Sequence, residues 1–325
     1  MVEAINRTLA REMARDQRIV LFGEDVGANG GVFRATDGLI DRFGSRRVVD
    51  TPLAEGLIVG TAVGLAASGM VPVAEIQFLG FAYQAFHQLA GQVARLRYRS
   101  HGRFDAPITI RAPFGGGVRT PELHSEAIEG QLVNIPGLKV VMPASAWDAA
   151  GLLAAAIRDP DPVLFLEPLR GYRSLRDEFP EDDSMEIIEP LGRVKLIQDG
   201  TDLVIVAWSY QVEVARRAAA ALAEEGHSVA VLDLRTLVPL DIGGLVEVVA
   251  RCGRAVVVEE APQTGGFAGE VVATLVEECF YELEAPVVRV SGYDVPYPTG
   301  LLEDRYVPSV ARVTAACRRV LELAP

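Results

Sequence analysis

Short apolar runs alternate along this chain with longer segments whose apolar positions recur every three or four residues, the pattern of strands feeding helices. Runs at Ile19–Gly23, Arg47–Asp50, Val71–Ile76, Ile108–Arg111, Leu138–Met142 and Val163–Leu166 read as strands, and helical spacing falls near residues 2–14, 55–68, 82–98 and 146–157. That order predicts a parallel sheet covered by helices, because parallel neighbours are joined by crossover connections. Between Pro168 and Pro190 the pattern breaks into Arg170, Arg173, Arg176, Asp177, Glu178, Pro180, Glu181, Asp182 and Asp183, a charged linker with prolines at its ends. A second alternation follows, with strands at Asp202–Trp208, Ser228–Leu234, Ala255–Glu259 and Pro286–Val290 and helices near 211–225, 242–252, 268–281 and 308–323. The expected fold is α/β, with two parallel-sheet domains at residues 1–185 and 186–325.

One helix departs from the amphipathic rule. Leu57 to Ala67 is apolar on every face, which predicts burial, and the preceding Asp50-Thr51-Pro52-Leu53-Ala54-Glu55-Gly56 brings one carboxylate to its mouth. Two readings of Glu55 stay open locally. It is a first-turn carboxylate favoured by the helix dipole, with Thr51 as cap and Pro52 in the first turn. Or it is an acid at the edge of a packed interior, where desolvation favours the neutral form and permits proton exchange near neutral pH. Gly56, Gly60 and Gly64 recur every four residues and clear one face for a close helix, from this chain or another.

Charge and cysteine usage narrow the partners. Lys and Arg total 31 against 44 Asp and Glu, a net charge of −13 that repels nucleic acid and anionic membranes and suits a basic protein partner. No run reaches the ~18 apolar residues of a membrane span, and Glu3, Arg7, Arg11 and Glu12 replace an apolar leader core, so a cytosolic (cytoplasmic) protein is expected. Cys252, Cys279 and Cys317 are widely spaced in apolar contexts and read as buried structural thiols.

Open parallel sheets bind ligands beyond the carboxyl ends of their strands. Three loops there carry chemistry: Gly23-Glu24-Asp25-Val26-Gly27 with Gly30-Gly31-Val32-Phe33; Glu75-Ile76-Gln77-Phe78-Leu79-Gly80-Phe81; and Gly115-Gly116-Gly117-Val118-Arg119, continuing to His124-Ser125-Glu126. The glycine runs match neither the dinucleotide fingerprint nor the lysine-bearing phosphate loop, so tight turns account for them. Of the four histidines, His124 is the acid–base candidate, being on a long glycine-containing loop. Phe78, Phe81 and Tyr83 serve equally as core residues or as a shelf for a flat heterocycle.

Gly23-Glu24-Asp25-Val26, Asp50-Thr51-Pro52-Leu53-Ala54-Glu55, Ala74-Glu75-Ile76-Gln77-Phe78, Gly137-Leu138-Lys139-Val140-Val141, Pro162-Val163-Leu164-Phe165-Leu166-Glu167 and the run from Leu232 to Asp241 together resemble the β subunit of thiamine-diphosphate-dependent 2-oxo acid dehydrogenases, over nearly the whole chain. The resemblance implies a pyrimidine-binding domain followed by a transketolase-type carboxyl-terminal domain. It makes Glu55 the acid hydrogen-bonded to N1′ of the cofactor pyrimidine, stacks Phe81 on that ring, and lines the neighbouring wall with Leu53 and Gln77. His124 takes the place of a histidine that faces the substrate channel and handles the incoming lipoyl group; Glu126 stands where glutamine is commoner.

By the same resemblance, an α subunit holds the diphosphate and its Mg²⁺ through a Gly-Asp-Gly motif that this chain lacks, within an α2β2 heterotetramer inactive without α. Some members bind K⁺ in this subunit, and the corresponding positions are Ile108, Ala156, Ile157, Asp159 and Asp161. A 2-oxo acid and the lipoyl-bearing dihydrolipoamide acyltransferase core are the further implied partners, the core meeting acidic groups such as Glu282, Glu284 and Asp294. Gly80-Phe81 and Thr120-Pro121-Glu122-Leu123-His124 look more like the pyruvate enzymes than the branched-chain (2-oxoisovalerate) or acetoin enzymes. A non-catalytic scaffolding subunit is the rival class, and a carboxylate at position 55 argues against it. A self-contained transketolase-like enzyme would need its own diphosphate motif.

Overall fold

The computed structural model describes residues 1–179 and 186–323. Pro180, Glu181, Asp182 and Asp183 of the expected linker, and residue 185 at the expected boundary, lie outside the described residues.

Six strands of the first half form one parallel set: β1 Ile19–Gly23, β2 Val48–Asp50, β3 Val71–Glu75, β4 Thr109–Phe114, β5 Lys139–Val141 and β6 Val163–Pro168, in the order β5-β6-β4-β3-β1-β2. β1, β3, β4 and β6 are buried along their whole length, which is why their sequences run apolar without alternation. Helices α1 (Val2–Arg15) and α3 (Ala146–Arg158) close one face through Ile5, Leu9, Met13, Leu152 and Leu153 against Leu21, Val73 and Phe165. Ser145 caps α3 by accepting from Asp148 N. Helix α2 (Glu55–Ala67) covers the other face with Ile58, Val59 and Ala62.

The second half supplies β7 Lys195–Gln198, β8 Leu203–Ala207, β9 Val229–Asp233, β10 Thr236–Val238, β11 Ala255–Pro262 and β12 Val288–Gly292. Its sheet runs β12-β11-β8-β9-β7, with only β7 antiparallel. Helices α4 (Gln211–Glu224) and α7 (Val310–Leu321) pack on one face, α5 (Ile242–Cys252) and α6 (Phe267–Cys279) on the other. The α/β architecture with two mostly parallel sheets is thus borne out.

Four features depart from the sequence expectation, the last of them on α2. β10 leaves its own half and pairs antiparallel with β5, Thr236 opposite Val141 and Val238 opposite Val140. The two halves also share one apolar core, which includes Leu164 and Leu166 from the first and Trp208, Leu232, Leu234 and Leu237 from the second. The helix expected over 82–98 is instead a 3₁₀ stretch at Leu79–Ala85, one α turn at Phe86–Gln88, a π turn at Leu89–Val93 and an α turn at Leu96–Arg99. That segment follows the surface of α2, where a Cβ on Gly56 would stand 3.3 Å from the Gln84 carbonyl and one on Gly60 3.7 Å from the Gln88 side chain. Two of the three periodic glycines therefore serve an intrachain contact, and contact with α2 overrides regular helical winding.

Helix α2 is not buried all round. Glu55, Ile58, Val59, Ala62 and Ala66 face inward, whereas Leu57 is 53% exposed and Thr61, Gly64 and Ala67 face outward. Among the described residues, nothing covers Leu57, Thr61, Gly64 and Ala67 enough to bury them. All three cysteines are buried free thiols. No helix among the described residues is long and apolar enough to cross a membrane.

Candidate active site

Glu55 is the first residue of α2, reached by the short turn after β2, and is only 2% exposed. The helix cap is Ala54, with no side-chain cap bond; the Thr51 hydroxyl donates instead to the Pro52 carbonyl at 3.0 Å. Thr51 lies too far ahead of the helix to cap it, so the capping reading of this stretch fails. Glu55 Oε2 is buried without a hydrogen-bond partner. Glu24, at the end of β1, is half-buried, and burial first, then the charges of Asp25 and Glu55, push its carboxyl up. Asp50 explains the first glycine loop: Gly27 N donates to Oδ1 at 2.6 Å and Ala28 N to Oδ2 at 3.2 Å. Amides already bound to a carboxylate do not form a phosphate cradle.

The loops after β3 and β4 bring Phe81 and His124 together, with ring centroids 5.0 Å apart and near-perpendicular planes. Phe78 lies 4.6 Å from the His124 ring and 5.9 Å from Phe81. Phe33 and Tyr172 extend the ladder, Phe33 being 5.5 Å from Phe78 and 5.2 Å from Tyr172. Gly80 makes the approach feasible, since a Cβ there would stand 2.0 Å from the Leu123 carbonyl oxygen. His124 Nδ1 is 2.8 Å from the Glu122 carbonyl, which can only accept, so Nδ1 carries hydrogen and Nε2 is the ring's free nitrogen. Gln77 is half-buried beside Phe78, and Leu53 is 62% exposed on the rim ahead of Glu55. Among the described residues, no hydrogen bond or ring contact links Glu55 directly to Phe81, Gln77 or His124.

Beneath these loops lies a buried ionic group that sequence reasoning missed. Arg111 on β4 bonds Glu75 on β3 at 2.7 Å and grips Glu167 on β6 with Nε and an Nη at 2.7 and 2.9 Å, while the Tyr172 hydroxyl donates to Glu167. Burial works against the Arg111 charge, but Glu167 and Glu75 outweigh it and hold the guanidinium protonated; burial pushes Glu75 up. The available signal was a charged residue inside each of three otherwise apolar strands. Sequence reasoning also missed Glu260 and Glu303, whose carboxylates take the amides of the Gly115–Arg119 turn.

The five candidate K⁺ residues gather around the amino ends of β4 and β6, at the opposite end of the sheet from Glu55. Lys139 Nζ bonds both oxygens of Asp159 at 2.7 Å, and Arg97 bonds Asp161 at 2.8 Å. The Ile108 carbonyl accepts from Val163 N at 2.9 Å and that of Ala156 from Asp159 N at 3.3 Å. Internal cations thus engage both carboxylates, and the groups left to fit a monovalent ion are carbonyl oxygens, including that of Ile157, which keep a lone pair each.

Comparison with known proteins adds the following. Residues 1–174 match the transketolase pyrimidine-binding domain family, and residues 192–313 match the transketolase C-terminal domain family. Glu55, Phe81 and His124 all fall within the first match. Over 322 residues the chain is 48% identical to the pyruvate dehydrogenase E1 component subunit beta of Bacillus subtilis (strain 168), covering 99% of this chain and 98% of that one. A Staphylococcus epidermidis protein of the same name gives 48% and a Staphylococcus aureus one 47%, with the same coverage. A solved chain described as a split gene transketolase, inactive beta4 tetramer, matches with a TM-score of 0.81 at 27% identity, covering 99% of this chain and 98% of that one.

Proposed function

Because this chain belongs to the family of pyruvate dehydrogenase E1 β subunits, built from a transketolase pyrimidine-binding domain and a transketolase C-terminal domain, we propose that with an α subunit it carries out thiamine-diphosphate-dependent oxidative decarboxylation of pyruvate. The lipoyl group of a dihydrolipoamide acyltransferase core is the acyl acceptor. The observation that carries this reading is Glu55 Oε2, buried and without a partner among the described residues. Such an atom costs about 1–3 kcal/mol unless something external satisfies it, and a pyrimidine ring nitrogen is a fitting partner.

When bound, thiamine diphosphate supplies the carbon nucleophile and the electron sink for loss of CO₂ from the 2-oxo acid. Glu55 would share a proton with N1′ of the pyrimidine through Oε2, and Ile58 and Val59, buried on the same helix, are the apolar side chains that follow it. Phe81 would stack on the ring, and Leu53 and Gln77 would line the wall beside it. His124 Nε2 moves the proton of the lipoyl acceptor, its ring set by the Nδ1 bond to Glu122.

The exposed apolar rim of Leu53, Leu57, Val32, Val118 and Leu123 supports a large partner surface at the site, which we assign to α in an α2β2 tetramer. The diphosphate and Mg²⁺ go to α, and the split transketolase relative, described as inactive as a β4 assembly, supports inactivity of this chain alone. We assign K⁺, where used, to the carbonyls of Ile108, Ala156 and Ile157, with Asp159 and Asp161 as charges nearby; thermal stability in KCl against NaCl tests it. Glu282, Glu284 and Asp294 remain candidates for the acyltransferase contact. A cytosolic location goes with this assignment, and cell fractionation checks it. The division at 185/186 fits the family matches at 1–174 and 192–313. A proteolytic nick there should leave both halves associated, because they share a core.

The test is reconstitution with α. Glu55→Gln should lower kcat on pyruvate by about 10²–10⁴ with the cofactor still bound. Parent-like turnover by that variant sinks the mechanism, and a higher kcat/KM for 2-oxoisovalerate than for pyruvate sinks the substrate assignment.

A further inference from the structure

The loop carrying His124 is gripped from the other half of the chain. After β4, Gly116 N donates to Glu260 Oε1 at 2.6 Å, Gly117 N to Glu303 Oε1 at 2.5 Å and Arg119 N to Glu303 Oε2 at 3.2 Å. Both carboxylates are buried. They are held in turn: the Tyr297 hydroxyl donates to Glu260 Oε1 at 2.6 Å, Gln211 Nε2 reaches Glu260 Oε2 at 3.4 Å, and Arg170 stands 3.8 Å from Glu303. The fit leaves no slack, since a Cβ on Gly116 would stand 2.3 Å from the Tyr297 oxygen and 2.8 Å from the Glu303 carboxyl carbon. At its far end the loop is fastened by the Thr120–Ser125 hydroxyl pair and by Leu123 seated on Gly80. Amide bonds to an ionised carboxylate are about twice as strong as neutral ones. Glu303 takes two amides at once, which a carboxamide with its single oxygen accepting in this geometry would not.

We propose that Glu260 and Glu303 are positioning residues for His124: by gripping the Gly115–Arg119 turn, the second half of the chain fixes that ring against Phe78 and Phe81 without touching the reacting atoms. The proposal rests on the acyl-transfer role given to His124 above. It predicts that loosening the grip costs transfer to the lipoyl group and spares the cofactor pyrimidine, whose contacts lie on α2 and the loop after β3.

The experiment compares parent, Glu303→Gln, Gly116→Ala, His124→Ala and the Glu303→Gln/His124→Ala double variant as reconstituted α2β2 holoenzyme. Glu303→Gln and Gly116→Ala, attacking the same grip from opposite sides, should speed amide exchange in residues 115–126 by about tenfold or more, with α2 peptides unchanged. Each should cut kcat for acylation of a lipoyl domain by about tenfold or more, with KM for pyruvate and Kd for thiamine diphosphate within about twofold of the parent. The double variant should be no slower than His124→Ala alone. Unchanged exchange in 115–126, losses that multiply in the double variant, or cofactor affinity falling in step each overturn the proposal. A parent tetramer that does not decarboxylate pyruvate refutes the functional reading instead, and the exchange measurement still decides the grip.

Discussion

A single carboxylate and its missing partner organise the site. Glu55 is buried and uncapped, with Oε2 unpartnered among the described residues, whereas Glu75 and Glu167, buried nearby, share Arg111, and the exposed Asp50 holds Gly27 and Ala28. Glu129 Oε2 and Asp233 Oδ2 are also buried without partners among the described residues, so it is the missing partner together with the place of Glu55 at the mouth of α2, beside the exposed Leu53 and Leu57, that marks it as a group open to a ligand. Arg111 shows the scaffold's share. Arg111→Met would leave two buried carboxylates without their cation, so we expect a loss of about 3–5 kcal/mol in urea unfolding of the purified chain. A variant as stable as the parent would mean that Glu75 and Glu167 find other partners or take up protons at little cost.

At the scale of elements, α2 does two jobs with one sequence. Its inner face packs on the sheet, while its outer stripe, with Leu57 more than half exposed, is left open by the described residues. A charge placed there should act on assembly and spare folding. Leu57→Lys is expected to shift the unfolding free energy of the isolated chain by less than about 0.5 kcal/mol and to prevent α2β2 formation, read as the mass of the α–β mixture by light scattering. A tetramer formed normally by Leu57→Lys would place the partner elsewhere. β10 makes the complementary point: a three-residue strand too short to stand out in the sequence completes the edge of the other half's sheet.

At the scale of the whole molecule, the shared core buries acids between the two halves. Burial first, then the Glu259 charge, pushes Glu129 up to about 8, and burial pushes Glu259 up to about 7. Unfolded, both titrate near 4.5. The folded chain therefore binds more protons than the unfolded one from about pH 4.5 to 8, so stability is fullest below that window and is lost as pH rises through it. Calorimetry from pH 5.5 to 8.5 should show a falling Tm, and Glu129→Gln should flatten the slope. A Tm that climbs across this range would contradict the assignment.

Much of this was legible in the sequence, because it depends on local periodicity. β1 and α5 lie at their expected limits, and most other long elements fall within a few residues, since strands buried on both faces must run apolar and helices over them must repeat every three or four. The motif around Glu55 and the loop of His124 were equally readable as candidates. The tertiary structure decided what depends on neighbours remote in the chain. It set which acids have partners, the meeting of Phe81 with His124, the broken winding of 79–99 over α2, and the crossing of β10 between sheets. The grip of Glu260 and Glu303 on amides 144 to 186 residues away belongs there too. A hydrophobic pattern records which way a side chain faces; only the folded chain determines what it faces.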